Sequence, residues 1–130
     1  MKTFNFRKLG ILLVMMLVSG MILVGSASAA NPVYTANYKL TAGGNVNGNT
    51  VSFLSYVKTI NGEYAEHISA SAVLEDRYGN YIDHASNDDG WDVKALVASG
   101  SCTTTDQHHV DASFSAIEPT DSYYYATYYY

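Results

Sequence analysis

The residue pattern of this chain predicts an all-β fold, a small antiparallel β-sandwich of about seven strands behind an N-terminal signal peptide. Three observations carry that prediction. Apolar residues recur at every second position over most of residues 31–130, the period of a strand with one face on a core. Clusters of Gly, Asn and Asp interrupt those runs at short intervals, as turns do. No stretch of useful length has the periodicity of an amphipathic helix.

The leader comes first. Lys2, Arg7 and Lys8 precede a run from Leu9 to Val24 that holds no charge, and the run ends in Gly25-Ser26-Ala27-Ser28-Ala29-Ala30. A basic start, an apolar middle and small residues at Ala27, Ala29 and Ala30 make a secretory signal with its cleavage region. Residues 1–30 are therefore read as signal peptide and 31–130 as one domain, secreted and either released or held at the cell surface.

Tyr34, Ala36, Tyr38, Leu40 and Ala42 alternate with polar residues and form the first strand. Gly43 to Asn49 contains three Gly and three Asn, residues that tolerate positive φ, and reads as a loop. Thr50 to Ile60 is apolar on both faces, which marks a central strand. Asn61-Gly62 then predicts a tight hairpin turn into a third strand that opens at Glu63 and continues to Leu74. Asp76 to Asn80 is a turn, Tyr81 to Ser86 a fourth strand, and Asn87 to Gly90 a break. Trp91, Val93, Ala95 and Val97 make a fifth strand that Ser99-Gly100-Ser101 ends. Val110 to Ala116 is the sixth; Glu118 to Ser122 turns the chain into a last strand, Tyr123 to Tyr130. Seven strands in about 100 residues is the size of an immunoglobulin-like sandwich.

Charge narrows the function. Without the leader, four Lys+Arg stand against twelve Asp+Glu, a balance of −8. A nucleic-acid partner needs a basic patch to neutralise phosphates, so it is excluded. Cys102 is the sole cysteine, which leaves a small buried residue or an intermolecular disulfide as its two readings.

The aromatic tail is the strongest candidate for a binding surface. Half of the twelve tyrosines fall between Tyr123 and Tyr130. Regular alternation would put Tyr124, Tyr128 and Tyr130 on one face and Tyr123, Tyr125 and Tyr129 on the other. One face packs on the core; the other displays rings that suit sugars or an apolar partner surface. Tyr124, Tyr125, Tyr128 and Tyr129, with Trp91, are the expected ligand-binding residues.

Other chemistry is not expected. Asp83, Asp88, Asp89 and Asp92 flank Gly90, but Ala85 stands where an EF-hand loop needs its first ligand. His108 and His109, as strand neighbours, should point to opposite faces, and no H-x-x-x-H or H-E-x-x-H spacing occurs. No G-x-S-x-G elbow is present, and Gly100-Ser101-Cys102 lies near histidines in sequence, a proximity that does not by itself make a Cys/His nucleophile pair. The reading is a non-enzymatic protein with no catalytic residue, metal or cofactor. Its partner is a cell-wall glycan or another surface protein, and tyrosine-dense edges favour self-association.

Two resemblances bear on this. Ile68 to Asn80 resembles a strand–turn–strand piece of small secreted bacterial sandwich proteins. The leader, His67 before Ser69-Ala70-Ser71-Ala72-Val73, the Gly90-Trp91 pair and the aromatic C-terminus are similar to features of lactococcin-type bacteriocins. That likeness departs in charge and length, and implies the alternative of a secreted antagonist of other bacteria.

Overall fold

A computed structural model describes residues 31–89 and 92–130. The predicted leader with Ala27, Ala29 and Ala30, and the Gly90-Trp91 pair, lie outside the described residues. Eight strands follow one another: β1 (Val33–Tyr34), β2 (Tyr38–Asn47), β3 (Thr50–Thr59), β4 (His67–Glu75), β5 (Tyr81–Asp89), β6 (Ala95–Thr103), β7 (His109–Ile117) and β8 (Asp121–Tyr129). They form two four-stranded antiparallel sheets, ordered β1-β2-β3-β6 and β5-β4-β7-β8. The sheets pack face to face as a β-sandwich, β2 near β8 and β6 near β5. No helix occurs among the described residues.

Eight strands rather than seven arise because the first predicted run folds back on itself. Thr35 N–H donates to the Tyr38 carbonyl at 2.9 Å, and Tyr38 N–H donates to Thr35 Oγ1 at 3.0 Å. The turn sets Val33 against Leu40, so β1 becomes an edge strand beside β2.

Three predicted turns are corrected. Gly43 to Asn47 continues β2, and the hairpin to β3 closes at Gly48-Asn49, where Gly48 has φ 61°. Ser99-Gly100-Ser101 lies inside β6. Both errors have one cause. Gly44 and Gly100 flank Phe53 in the register, and each glycine makes room for an aromatic ring. A Cβ on Gly100 would sit 2.7 Å from Phe53 Cζ; one on Gly44 would meet the Tyr130 hydroxyl and come within 2.7 Å of the Ser52 carbonyl oxygen. These glycines serve close approach, not a reversal of the chain. Asn61-Gly62 is the third case. Gly62 does have φ 70°, but β3 and β4 belong to opposite sheets, so the segment crosses between layers. The Ala65–Val93 bridge pins that crossing. The predicted break at Asn87 is also absent, since β5 runs through Asp89 against β4.

Alternation then builds the core. Tyr38, Leu40, Val57, Ile68, Leu96, Phe114 and Tyr128 are buried between the sheets with a set of alanines, and Val51, Phe53, Leu74 and Val110 form a second cluster. Tyr38 stacks on Phe114 at 5.2 Å and donates its hydroxyl to the Pro119 carbonyl at 2.7 Å. Burial of this kind is the main stabilising term for a domain without a disulfide.

The sheets differ in charge. The strands of β1-β2-β3-β6 carry Lys39 and Lys58 and no carboxylate. Those of β5-β4-β7-β8 carry Glu75, Asp83, Asp88, Asp89, Asp111 and Asp121 and neither Lys nor Arg.

Candidate functional site

The outer face of the β5-β4-β7-β8 sheet holds most of the polar chemistry. Its centre is paved with hydroxyls. Ser69 lies opposite Ser115 and Ser71 opposite Ser113, with Oγ–Oγ distances of 2.7 and 2.9 Å. The rows continue to Ser86 on β5 and Ser122 on β8.

β8 borders these rows as an edge strand, and a β-bulge decides where its tyrosines go. Ala112 faces Ala126, but the next matched pair is Phe114 with Tyr123, so Ser113 opposes both Tyr124 and Tyr125. The extra residue breaks the regular alternation. Tyr124 and Tyr125 stand 72% and 63% exposed, and Tyr129 is 63% exposed further along. Tyr128, expected beside Tyr124, is instead a core residue at 8% exposure. Tyr130 follows it inward: its ring meets Tyr128 at 5.1 Å and its hydroxyl donates to the Ser52 carbonyl at 2.7 Å. Burial, then neighbouring Tyr128 and Cys102, pushes the Tyr130 phenol far up. Of the five expected binding residues, three therefore share the exposed side of β8 and its bulge. Trp91 lies outside the described residues.

A second constellation sits at the other end of the face. His109 and Asp111 are two apart on β7 and point the same way, and the register sets Glu75 of β4 directly opposite His109. His109 Nε2 is 3.0 Å from Glu75 Oε2 and 3.8 Å from Asp111 Oδ2. Asp111 Oδ1 accepts a 2.6 Å hydrogen bond from Thr127 Oγ1 of β8. His108 Nδ1 lies 3.0 Å from His109 Nδ1, and Tyr129 packs its ring 5.5 Å from His108 and 5.7 Å from His109.

This corrects the expectation that His108 and His109 must diverge. His108 precedes β7, so strand alternation does not govern it. The H-x-D spacing of His109 and Asp111 was the one signal available in the sequence. Glu75 could be added only from the β4–β7 register, a non-local fact.

The remaining candidates disperse. Asp83 pairs in register with inward-facing Leu74 and Asp88 with outward-facing Ser69, so these two carboxylates lie on opposite sides of the sheet. Asp88 contacts His67 at 2.6 Å, and His84 shares a 2.8 Å hydrogen bond with the Tyr81 hydroxyl. Cys102 is half-buried against the Val51–Phe53–Leu74 cluster. Burial, then Asp83, pushes its thiol up, away from a reactive thiolate.

No protein-family model matches this chain, and no curated protein matches it.

Proposed function

We propose that this chain is a secreted, non-enzymatic binding module of immunoglobulin-like type that holds a cell-wall glycan against the bulged edge of its second sheet. The leader at residues 1–30 supports secretion. The order β2-β3-β6 against β5-β4-β7-β8 supports the immunoglobulin-like type. Read as A-B-E against C′-C-F-G, it is an arrangement built on Greek-key connections.

The observation that carries the binding reading is the set Tyr124, Tyr125 and Tyr129, exposed along an edge strand, the first two beside rows of serine hydroxyls. A sugar ring offers an apolar C–H face and a rim of hydroxyls. Tyrosine rings meet the first, and phenol and serine hydroxyls meet the second. Tyrosine does this with few rotatable bonds to order, which keeps the entropic cost of binding low. A −8 balance supports a neutral glycan over a phosphate-rich polymer, which it would repel.

The test uses protein recovered from producing cells, with intact mass fixing its first residue, and measures retention on isolated wall polysaccharide. Wild type is expected to be retained. The triple variant Tyr124→Ala, Tyr125→Ala, Tyr129→Ala should fold normally and lose at least tenfold in affinity, since stacked aromatics are typical binding hot spots. Equal retention of a folded triple variant would refute the reading.

A further inference from the structure

We propose that Glu75, His109 and Asp111 bind one divalent transition-metal ion, Zn²⁺ in particular, with a fourth coordination position open to solvent. The inference shares only Tyr129 with the glycan reading and rests on how the three side chains are held.

Their donor atoms already converge. One imidazole nitrogen and two carboxylate oxygens, from three residues on two strands, all lie within 4.8 Å of one another. Tetrahedral Zn²⁺ with bonds of about 2.0–2.2 Å sets its ligand atoms roughly 3.3 Å apart. The His109–Glu75 distance of 3.0 Å and the His109–Asp111 distance of 3.8 Å bracket that spacing. Small side-chain rotations would close the set without moving the ladder that fixes Glu75 opposite His109.

The surroundings are those of ligands held in place. Thr127 occupies Asp111 Oδ1 and leaves Oδ2 turned toward His109. His108 engages His109 Nδ1, which leaves Nε2 for the ion, and Tyr129 limits rotation of the ring. Outer partners of this kind orient metal ligands and fix the imidazole tautomer. In the metal-free protein His109 Nε2 contacts Glu75; an ion bound at Nε2 takes the neutral ring with its hydrogen on Nδ1, where His108 Nδ1 can accept it. The side chains are 16–25% exposed, which shields the site but leaves it an entrance.

Donor chemistry selects the metal. Two carboxylates balance a double charge, on a sheet whose strands carry no Lys or Arg. An imidazole ligand favours Zn²⁺ and its neighbours over Ca²⁺ and Mg²⁺, which take oxygen. The ion would tie β4 to β7 in a domain that has a single cysteine and so no internal disulfide.

The experiment is calorimetric titration of the purified, chelator-stripped protein with ZnCl₂, paired with thermal melting. One ion per chain is expected, with a Tm rise of about 5 °C or more at saturating Zn²⁺ and almost none with Ca²⁺ or Mg²⁺. Asp111→Asn can still accept from Thr127 and should fold. It and His109→Gln should each weaken binding at least tenfold, while His67→Gln and His84→Gln leave it unchanged. Absence of saturable Zn²⁺ binding would overturn the proposal. So would binding that survives both cluster variants, or that His67→Gln removes.

Discussion

Near the end of β8, Tyr128 and Tyr130 pack between the sheets, whereas Tyr124 and Tyr125 in the same strand stand in solvent beside the serine rows. Residue type is constant across this comparison, so composition cannot explain the difference. Register does. One residue inserted opposite Ser113 puts Tyr124 on the surface beside Tyr125; beyond the bulge ordinary alternation resumes, with Ala126 and Tyr128 inward and Tyr129 outward. A tyrosine-rich strand can in this way close a sandwich and present a binding edge at once.

Four substitutions sharpen or break the contrast. The largest effect is expected for Tyr128→Ala, a loss of ~3–5 kcal/mol by chemical denaturation, because it empties a packed core site. Tyr129→Ala next to it should cost no more than ~0.5 kcal/mol. Equal losses at the two positions would mean that the inward and outward assignments are wrong.

Gly44→Ala comes second. The added methyl meets the Tyr130 hydroxyl and the Ser52 carbonyl oxygen, a rigid backbone atom, so overpacking should cost ~1–3 kcal/mol. A neutral or stabilising result would show that Tyr130 does not occupy that space.

Tyr130→Phe comes third; it keeps the ring and removes the bond to Ser52, at about 1 kcal/mol near neutral pH. It also carries a pH signature. Burial holds the folded Tyr130 phenol protonated well above the value of about 10 at which the unfolded chain ionises. Its contribution is therefore complete below pH ~10 and declines as pH rises beyond that, where only the unfolded chain releases the proton. Unfolding followed from pH 8 to about 11 should show a shallower alkaline decline for Tyr130→Phe than for wild type. Burial also raises the phenols of Tyr38 and Tyr56, so part of the decline should persist in the variant. Identical slopes would place the Tyr130 phenol in water.

The strands were legible in the sequence because burial on one face imposes a period of two, and the all-β sandwich follows from that. The turn at Asp76 to Asn80 was legible too. Asp76 Oδ1 accepts from the backbone N–H groups of Tyr78 and Asn80, and Gly79 takes φ 78°, all from local residues. Where the reading failed, the missing information was non-local. Gly44 and Gly100 look like turn residues until Tyr130 and Phe53 are seen against them. Asn61-Gly62 has hairpin chemistry, yet the strands it joins find other partners. The bulge depends on pairing between β7 and β8, and the Glu75–His109–Asp111 cluster on pairing between β4 and β7. A single chain read residue by residue contains neither register.

The unequal charge of the two sheets has a consequence for meetings between copies. The net charge repels every pair, but not equally in all orientations. A two-fold encounter that puts serine face on serine face sets Glu75, Asp88 and Asp111 of one copy against those of the other. A head-to-tail encounter instead offers Lys39 and Lys58 to those carboxylates. Isologous pairing through the flat faces is thus disfavoured relative to heterologous stacking, which does not close on itself and extends in one direction. Added salt screens the difference and lets the two geometries compete on shape alone.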